Sequence, residues 1–475
     1  MQKDSTLNTR FLTLITLAAT LGGFLFGFDT AVISGTIAFV KQQYNLDALM
    51  EGWFVSSALL GSIVGVAISG KMGDQLGRKK VMLFSAFLFG ISAIGCAVAP
   101  SAFSLIVFRL IGGLGIGVAS VICPMYIAEL APSHARGKLV TYYQLAITIG
   151  ILTAYFSNAA IESVSGNKVE GTGWLQLVFH QESWRGMFAT GIIPALLFLL
   201  MILFVPESPR WLAMKKRTNE ALQVLTKIFG PAHAETEIEA IVGSLESSEN
   251  NTNLSAVFEQ SLRKPIVIGI LLAALSQFSG INAIIYYGPS ILEKAGFKLG
   301  EALGGQVTIG IVNVLFTFVA IYVIDKKGRK PLLLWGIGGA VISLVMAAVL
   351  FALNTTSFLV LIPIILFIAC FAFSFGPVTW VVISEIFPTN VRGVAVAIST
   401  MSLWVANWIV GQFFPLMLHE VGASVTFLIF ALFSAYAFIL SWKKIPETKG
   451  KTLEEIEHFW KHKTQQDLEP LNTIK

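Results

Sequence analysis

Along nearly its whole length the chain alternates apolar runs with short polar breaks. The runs are roughly 20 residues long, the reach of a helix across a hydrocarbon core. Set against the breaks, they predict helical spans near residues 11–35, 52–72, 80–100, 103–128, 139–159, 186–206, 263–288, 303–325, 331–353, 358–384, 393–416 and 424–443. Twelve such spans make an all-α polytopic membrane protein. The largest polar stretch, Pro206 to Leu262, sets Ala221, Leu222, Leu225 and Ile228, then Ile238, Ile241, Val242 and Leu245, at helical spacing with charges between them. That pattern predicts amphipathic helices lying under the bundle.

Charge adds an orientation. Only 13% of the 475 residues are charged, about half the share of a soluble globular protein. The net charge of +5 does not point to nucleic acid, because the basic residues are gathered in alternate loops: Arg78, Lys79 and Lys80; Arg136 and Lys138; Arg210, Lys215, Lys216 and Arg217; Lys326, Lys327, Arg329 and Lys330; Lys443 and Lys444. Such loops face the cytoplasm, which puts both termini inside. The sequons at Asn250 and Asn253 then fall on the wrong side for glycosylation. The first apolar run has no small-residue cleavage site, so it reads as a retained span. With no organelle-type targeting or large outer domain, a bacterial inner membrane is the expected location.

Catalytic and metal chemistry find little support. Cys96, Cys123 and Cys370 lie in or at the ends of apolar runs without CxxC spacing, which predicts neither a disulfide framework nor a metal site. The six histidines, His134, His180, His233, His419, His458 and His462, fall outside the spans. No nucleophile, base and orienting acid converge, so no enzyme and no cofactor are expected. His458 and His462 have metal-compatible spacing but no further ligand, and read as a solvated helix face.

The chain is also written twice. GDQLGRKK returns as DKKGRKP, with Arg329 251 residues after Arg78. ELAPSHARGK returns as EIFPTNVRGV, with Glu385 and Arg392 each 256 residues after Glu129 and Arg136. PESPRWL from Pro206 is matched by PETKGKTL from Pro446. The repeat divides the chain into a six-helix bundle at 1–206, a cytoplasmic helical linker at 207–262, a second bundle at 263–443 and a cytoplasmic tail at 444–475. Parallel repeats of this kind are a recurrent transporter architecture, with a site near the midplane where the repeats meet and rocking that opens it alternately.

The ordered set GRKK, PMYIAELAPSHARGK, PESPRWL, QFSGINAIIYYGP, DKKGRKP, VISEIFPTNVRG and PETKGKTLEE covers essentially the whole chain. It resembles the sugar porters of the major facilitator superfamily, which include bacterial sugar/proton symporters and animal glucose uniporters. The resemblance implies transport of a monosaccharide with a proton through the lipid bilayer, with no obligate protein partner. Two alternatives stand beside it. One is a passive sugar uniporter; the other is a transporter-like sugar sensor, which needs a signalling domain where only a short tail follows Pro446.

A sugar needs side-chain amides for its hydroxyls and aromatic faces for its C–H surface. Gln144, Gln277, Asn282 and Asn313 are amides inside apolar runs, where an unpaired polar group is costly. Gly280 permits a local distortion that aims both Gln277 and Asn282 inward, with Tyr286 one turn further on. Pro377 is expected to kink the tenth span just before Trp380. By resemblance Gln144, Gln277, Asn282, Asn313 and Trp380 contact sugar, with Phe26, Tyr286 and Trp404 lining the pocket. Ser276 replaces the first of two adjacent glutamines of the xylose/proton symporters, Ile151 replaces another, and Leu403 precedes Trp404. These departures disfavour xylose selectivity and lean toward a hexose. Intramembrane amides also serve as interhelical glue, which is the competing reading of each.

Two further groups carry charge. Arg78, Glu129, Arg136, Arg329, Glu385 and Arg392 stand at helix ends in both halves. They are expected to form a cytoplasmic gate whose ion pairs join the halves and break as they rock; the competing reading makes the arginines positive-inside anchors. Asp29 in the first span and Arg109 in the fourth are opposite charges inside apolar runs and are expected to pair. A rearrangement that separates them favours proton uptake and re-pairing favours release, which is a proton-coupling device. The competing reading is a permanent bridge that fixes packing.

Overall fold

A computed structural model of the chain describes residues 7–132, 135–165, 181–249, 260–355, 358–387, 392–449, 455 and 460. Among these described residues, twelve helices are long and apolar enough to cross a membrane: Thr9–Tyr44, Ala48–Leu76, Arg78–Val98, Ala102–Leu130, Arg136–Ser165, Ser183–Phe204, Arg263–Lys294, Leu299–Ile324, Arg329–Ala352, Phe358–Glu385, Gly393–Glu420 and Gly422–Lys444. Each overlaps the apolar run that predicted it, but the ends are set by capping and not by hydropathy. The first helix runs beyond residue 35 because nothing stops it before Asn45, whose left-handed backbone (φ 50°) closes it.

The chain forms two compact units, Met1–Asn250 and Asn251–Lys475. In the first, small residues bring helix backbones into contact, as in membrane helix pairs generally. A methyl group at Gly27 would overlap the carbonyl of Ile147, which joins the first span to the fifth, and one at Gly113 would overlap the carbonyl of Ala58, which joins the fourth to the second. The helices Pro209–Met214, Thr218–Phe229 and Pro231–Glu249 belong to this unit. Trp211 Nε1 donates to the Asp74 carbonyl at 3.0 Å, and the Asn8 amide donates to the Ile228 carbonyl at 2.8 Å. Their apolar faces, with Ala221, Leu225, Ile228 and Ile238 buried, are the ones the spacing predicted.

Two helices of the second unit are broken. The seventh span divides at Gly280 (φ 87°) into Gln260–Phe278 and Ile281–Lys294. The tenth is not a single helix kinked at Pro377. It runs as Leu361–Cys370, a π-helical turn Phe371–Phe375, and then Gly376–Glu385. Pro377 stands in the first turn of that last piece, where a missing N–H costs least, and the wide π turn before it supplies the irregularity.

Candidate functional site

Asn282 lies five positions after Gln277, a step that leaves two side chains well apart around a regular helix. The left-handed turn at Gly280 closes that gap. Asn282 Nδ2 donates to Gln277 Oε1 at 2.6 Å, Gln277 Nε2 donates to Ser276 Oγ at 3.1 Å, and the Ser276 hydroxyl donates to the Ala273 carbonyl at 2.7 Å. Ser276 and Gln277 are buried and Asn282 is half-buried, so a connected polar strip runs through an apolar helix. Asn313 is also buried in the eighth span, its carbonyl accepting from Thr317 Oγ1 at 2.7 Å.

The aromatic candidates divide. Trp380 is 39% exposed, whereas Trp404 and the preceding Leu403 are buried. Tyr286 is buried too, and its hydroxyl pairs with the Asn407 side-chain amide, 3.2 Å from Oδ1 and 3.1 Å from Nδ2. Asn407 was missed in the sequence, although an amide three residues past Trp404 in an apolar run is the same signal that marked the others. In the first unit, Gln144 and Phe26 are half-buried on the closely packed fifth and first spans.

The expected pair in the first unit is formed. Arg109 Nη1 donates to Asp29 Oδ2 at 2.8 Å and to the Asp29 carbonyl at 3.3 Å. The side chains are 2% and 16% exposed, so the pair is largely withdrawn from solvent. Asp29 also borders a small cavity with Leu25, Phe28, Phe89, Ser92 and Phe188. The Arg109 guanidinium stands 6.0 Å from the centre of the Phe188 ring, within cation–π range. Its Nε is buried without a hydrogen-bond partner among the described residues.

The charges at the helix ends are arranged twice, once in each unit. Arg78 binds Glu129 at 2.9 Å and also donates to the Gly73 carbonyl at 2.8 Å. Glu207 accepts from the amides of Arg78 and Lys79, at 2.9 and 3.1 Å, and the Ser208 hydroxyl donates to Glu129 at 2.5 Å. In the second unit Arg329 binds Glu385 at 3.1 Å. Glu447 accepts from the amides of Arg329 and Lys330, at 3.0 and 3.1 Å, and the Thr448 hydroxyl donates to Glu385 at 2.5 Å. Gly77 and Gly328 open these helices at φ 96° and 90°, and a side chain at either would press on the capping glutamate. Both glutamates sit where a helix N-terminus favours a carboxylate. Burial pushes the Glu447 carboxyl up, but the backbone amides of Lys449, Arg329, Lys330 and Thr448 outweigh it and hold its pKa below the usual carboxylate value.

Each of these two arginines meets a glutamate of its own unit. The cause is local, since the PES and PET segments hold each glutamate against its own helix end. Sequence reasoning passed over Glu207, Ser208, Glu447 and Thr448, although their repetition marked them. Arg136 opens the fifth span and is exposed; the side chain of Arg392 lies outside the described residues. Of the histidines, His233 and His419 are exposed, and His134, His180, His458 and His462 lie outside the described residues.

Residues 15–460 match the family described as Sugar (and other) transporter. The arabinose-proton symporter of Bacillus subtilis (strain 168) is 45% identical over 451 residues, covering 95% of each chain. The D-xylose-proton symporter of Escherichia coli (strain K12) is 38% identical over 490 residues, covering 96% of this chain and 97% of that one. An inward open conformation of the xylose transporter XylE from E. coli superimposes with a TM-score of 0.81 at 37% identity, covering 94% of this chain and all of that one.

Proposed function

From a chain that belongs to the sugar (and other) transporter family, we propose a symporter that imports a monosaccharide with a proton by alternating access. The protein is an integral multi-pass membrane protein and a transporter, not an enzyme. The observation that carries the coupled reading is the Asp29–Arg109 pair. A carboxylate within a membrane helix is tolerated through a partner or a cavity, and Asp29 has both. Asp29 is the proposed proton carrier, and the opening and closing of its pair with Arg109 is the proposed step that couples the proton to transport. Relatives named for coupled sugar transport support the same reading.

For the sugar, Gln277, Asn282, Asn313 and Trp380 are the proposed contacts in the second unit, with Ser276, Tyr286 and Trp404 behind them, and Gln144 and Phe26 those in the first. The strip from Ser276 through Gln277 to Asn282 supports this assignment, because it keeps donors and acceptors ready at modest cost to the fold. The basic loops support a cytoplasmic placement of both termini and of the segment 207–262, with a bacterial inner membrane as the host. The two arginine–glutamate clusters are proposed to govern opening on that side, with Arg136 and Arg392 as additional charges of the same gate.

In proteoliposomes with an imposed inward proton gradient, radiolabelled arabinose, xylose or glucose is expected to accumulate above its outside concentration. Collapse of the gradient by an uncoupler is expected to return it to equilibrium. Equilibration without accumulation is the result of a passive uniporter, and exchange of no monosaccharide at all overturns the sugar reading.

A further inference from the structure

The second piece of the seventh span, Ile281–Lys294, contains a second irregularity. Pro289 has no N–H, so it cannot give the carbonyl of Ile285, four residues earlier, its helical hydrogen bond. Tyr287, between them, leaves helical geometry at φ −112° and ψ 17°. Inside a membrane such a carbonyl must be satisfied from elsewhere in the protein. The eighth span provides the donor: Gln306 Nε2 donates to the Ile285 carbonyl at 3.0 Å and to the Ile284 carbonyl at 3.2 Å.

Gln306 gives up something to do this. The residue is 1% exposed, and its Oε1 is buried without a hydrogen-bond partner among the described residues. Leaving a buried acceptor unmet is unfavourable, so the amide is held at this position for its N–H groups and not for its oxygen. The fit also depends on Gly288, because a methyl group there would overlap the amide. Either side of the irregularity, the Tyr286 hydroxyl meets Asn407, the Tyr287 hydroxyl donates to the Gly411 carbonyl at 2.7 Å, and the Tyr287 ring lies 5.0 Å from that of Phe414.

We propose that Gln306 is a positioning residue for transport: its amide replaces the backbone donor that Pro289 lacks and so fixes where Tyr286 and Tyr287 stand against the eleventh span. The consequence for sugar rests on the assignment of Tyr286 made above; the support of the broken helix does not. Without the amide, the Ile284 and Ile285 carbonyls lose their tie to the eighth span, and the segment that follows them opens more often.

The test uses the full chain in proteoliposomes, with Ile291→Cys as a reporter in a segment that is 1% exposed at that position, and maleimide labelling in the absence of sugar. Gln306→Leu is expected to speed labelling about tenfold, the effect of losing roughly 1.4 kcal/mol of hydrogen bonding. Gly288→Ala, which keeps the amide but displaces it, is expected to act likewise. Pro289→Ala restores a main-chain donor and is expected to cancel most of the Gln306→Leu effect, a coupling that a merely structural loss does not show. Labelling unchanged in both Gln306→Leu and Gly288→Ala, or effects of Pro289→Ala and Gln306→Leu that simply add, overturn the proposal. Gln306→Leu is also expected to raise the half-saturation concentration for sugar. If no sugar is carried, only that arm falls and the labelling result stands.

Discussion

Gln277 and Asn282 show how a single backbone angle joins a buried and a half-buried amide into one polar surface. Their residue types were legible in the sequence, because an amide in an apolar run needs a reason to be there. Their mutual hydrogen bond was not, since it depends on the left-handed turn at Gly280 and on which way Gln277 points. Asn407 was passed over for the opposite reason: it shares the signal but lacks a motif to draw attention to it. At this scale, Gln277→Ala removes the acceptor of Asn282 as well as the proposed contacts of Gln277 with sugar. The expected loss of about 1–3 kcal/mol raises the half-saturation concentration in sugar counterflow roughly 5- to 150-fold, with the maximum exchange rate retained. A change under about twofold contradicts the assignment.

At the scale of the helix, hydropathy located the spans and capping decided their ends. The tenth span was misread because Pro377 is visible in a sequence and the π turn Phe371–Phe375 is not. The N-terminus of the ninth span was likewise hidden, since its cap comes from Glu447, distant in sequence. Glu447→Gln is expected to lower the melting temperature of detergent-solubilised protein, because the cap loses its charge. The carboxyl is held below its unperturbed value of 4.5 in the folded protein, so its contribution is complete above that value. It fades as pH falls through the lower, folded value. The difference in melting temperature between parent and variant is therefore expected to stay constant from about pH 6 to 8 and to shrink only in more acid solution. A difference that shrinks between pH 8 and 6 contradicts this account of the cap.

For the whole molecule, the repeat was the most informative pattern in the sequence, because motifs that return in order require two similar structures. The structure gives those motifs a shared local chemistry: arginine to glutamate, hydroxyl to the same glutamate, and a second glutamate on the helix start, once in each unit. The partners within each cluster were not legible, since spacing alone does not say which glutamate an arginine meets. The two units differ where Asp29 and Arg109 stand, and the account of the protein as a coupled transporter turns on that pair. The most direct measurement is sugar-driven alkalinisation of the medium by proteoliposomes carrying Asp29→Asn, recorded beside sugar exchange by the same vesicles. The account predicts that exchange continues while alkalinisation is lost; alkalinisation at the parent rate contradicts it.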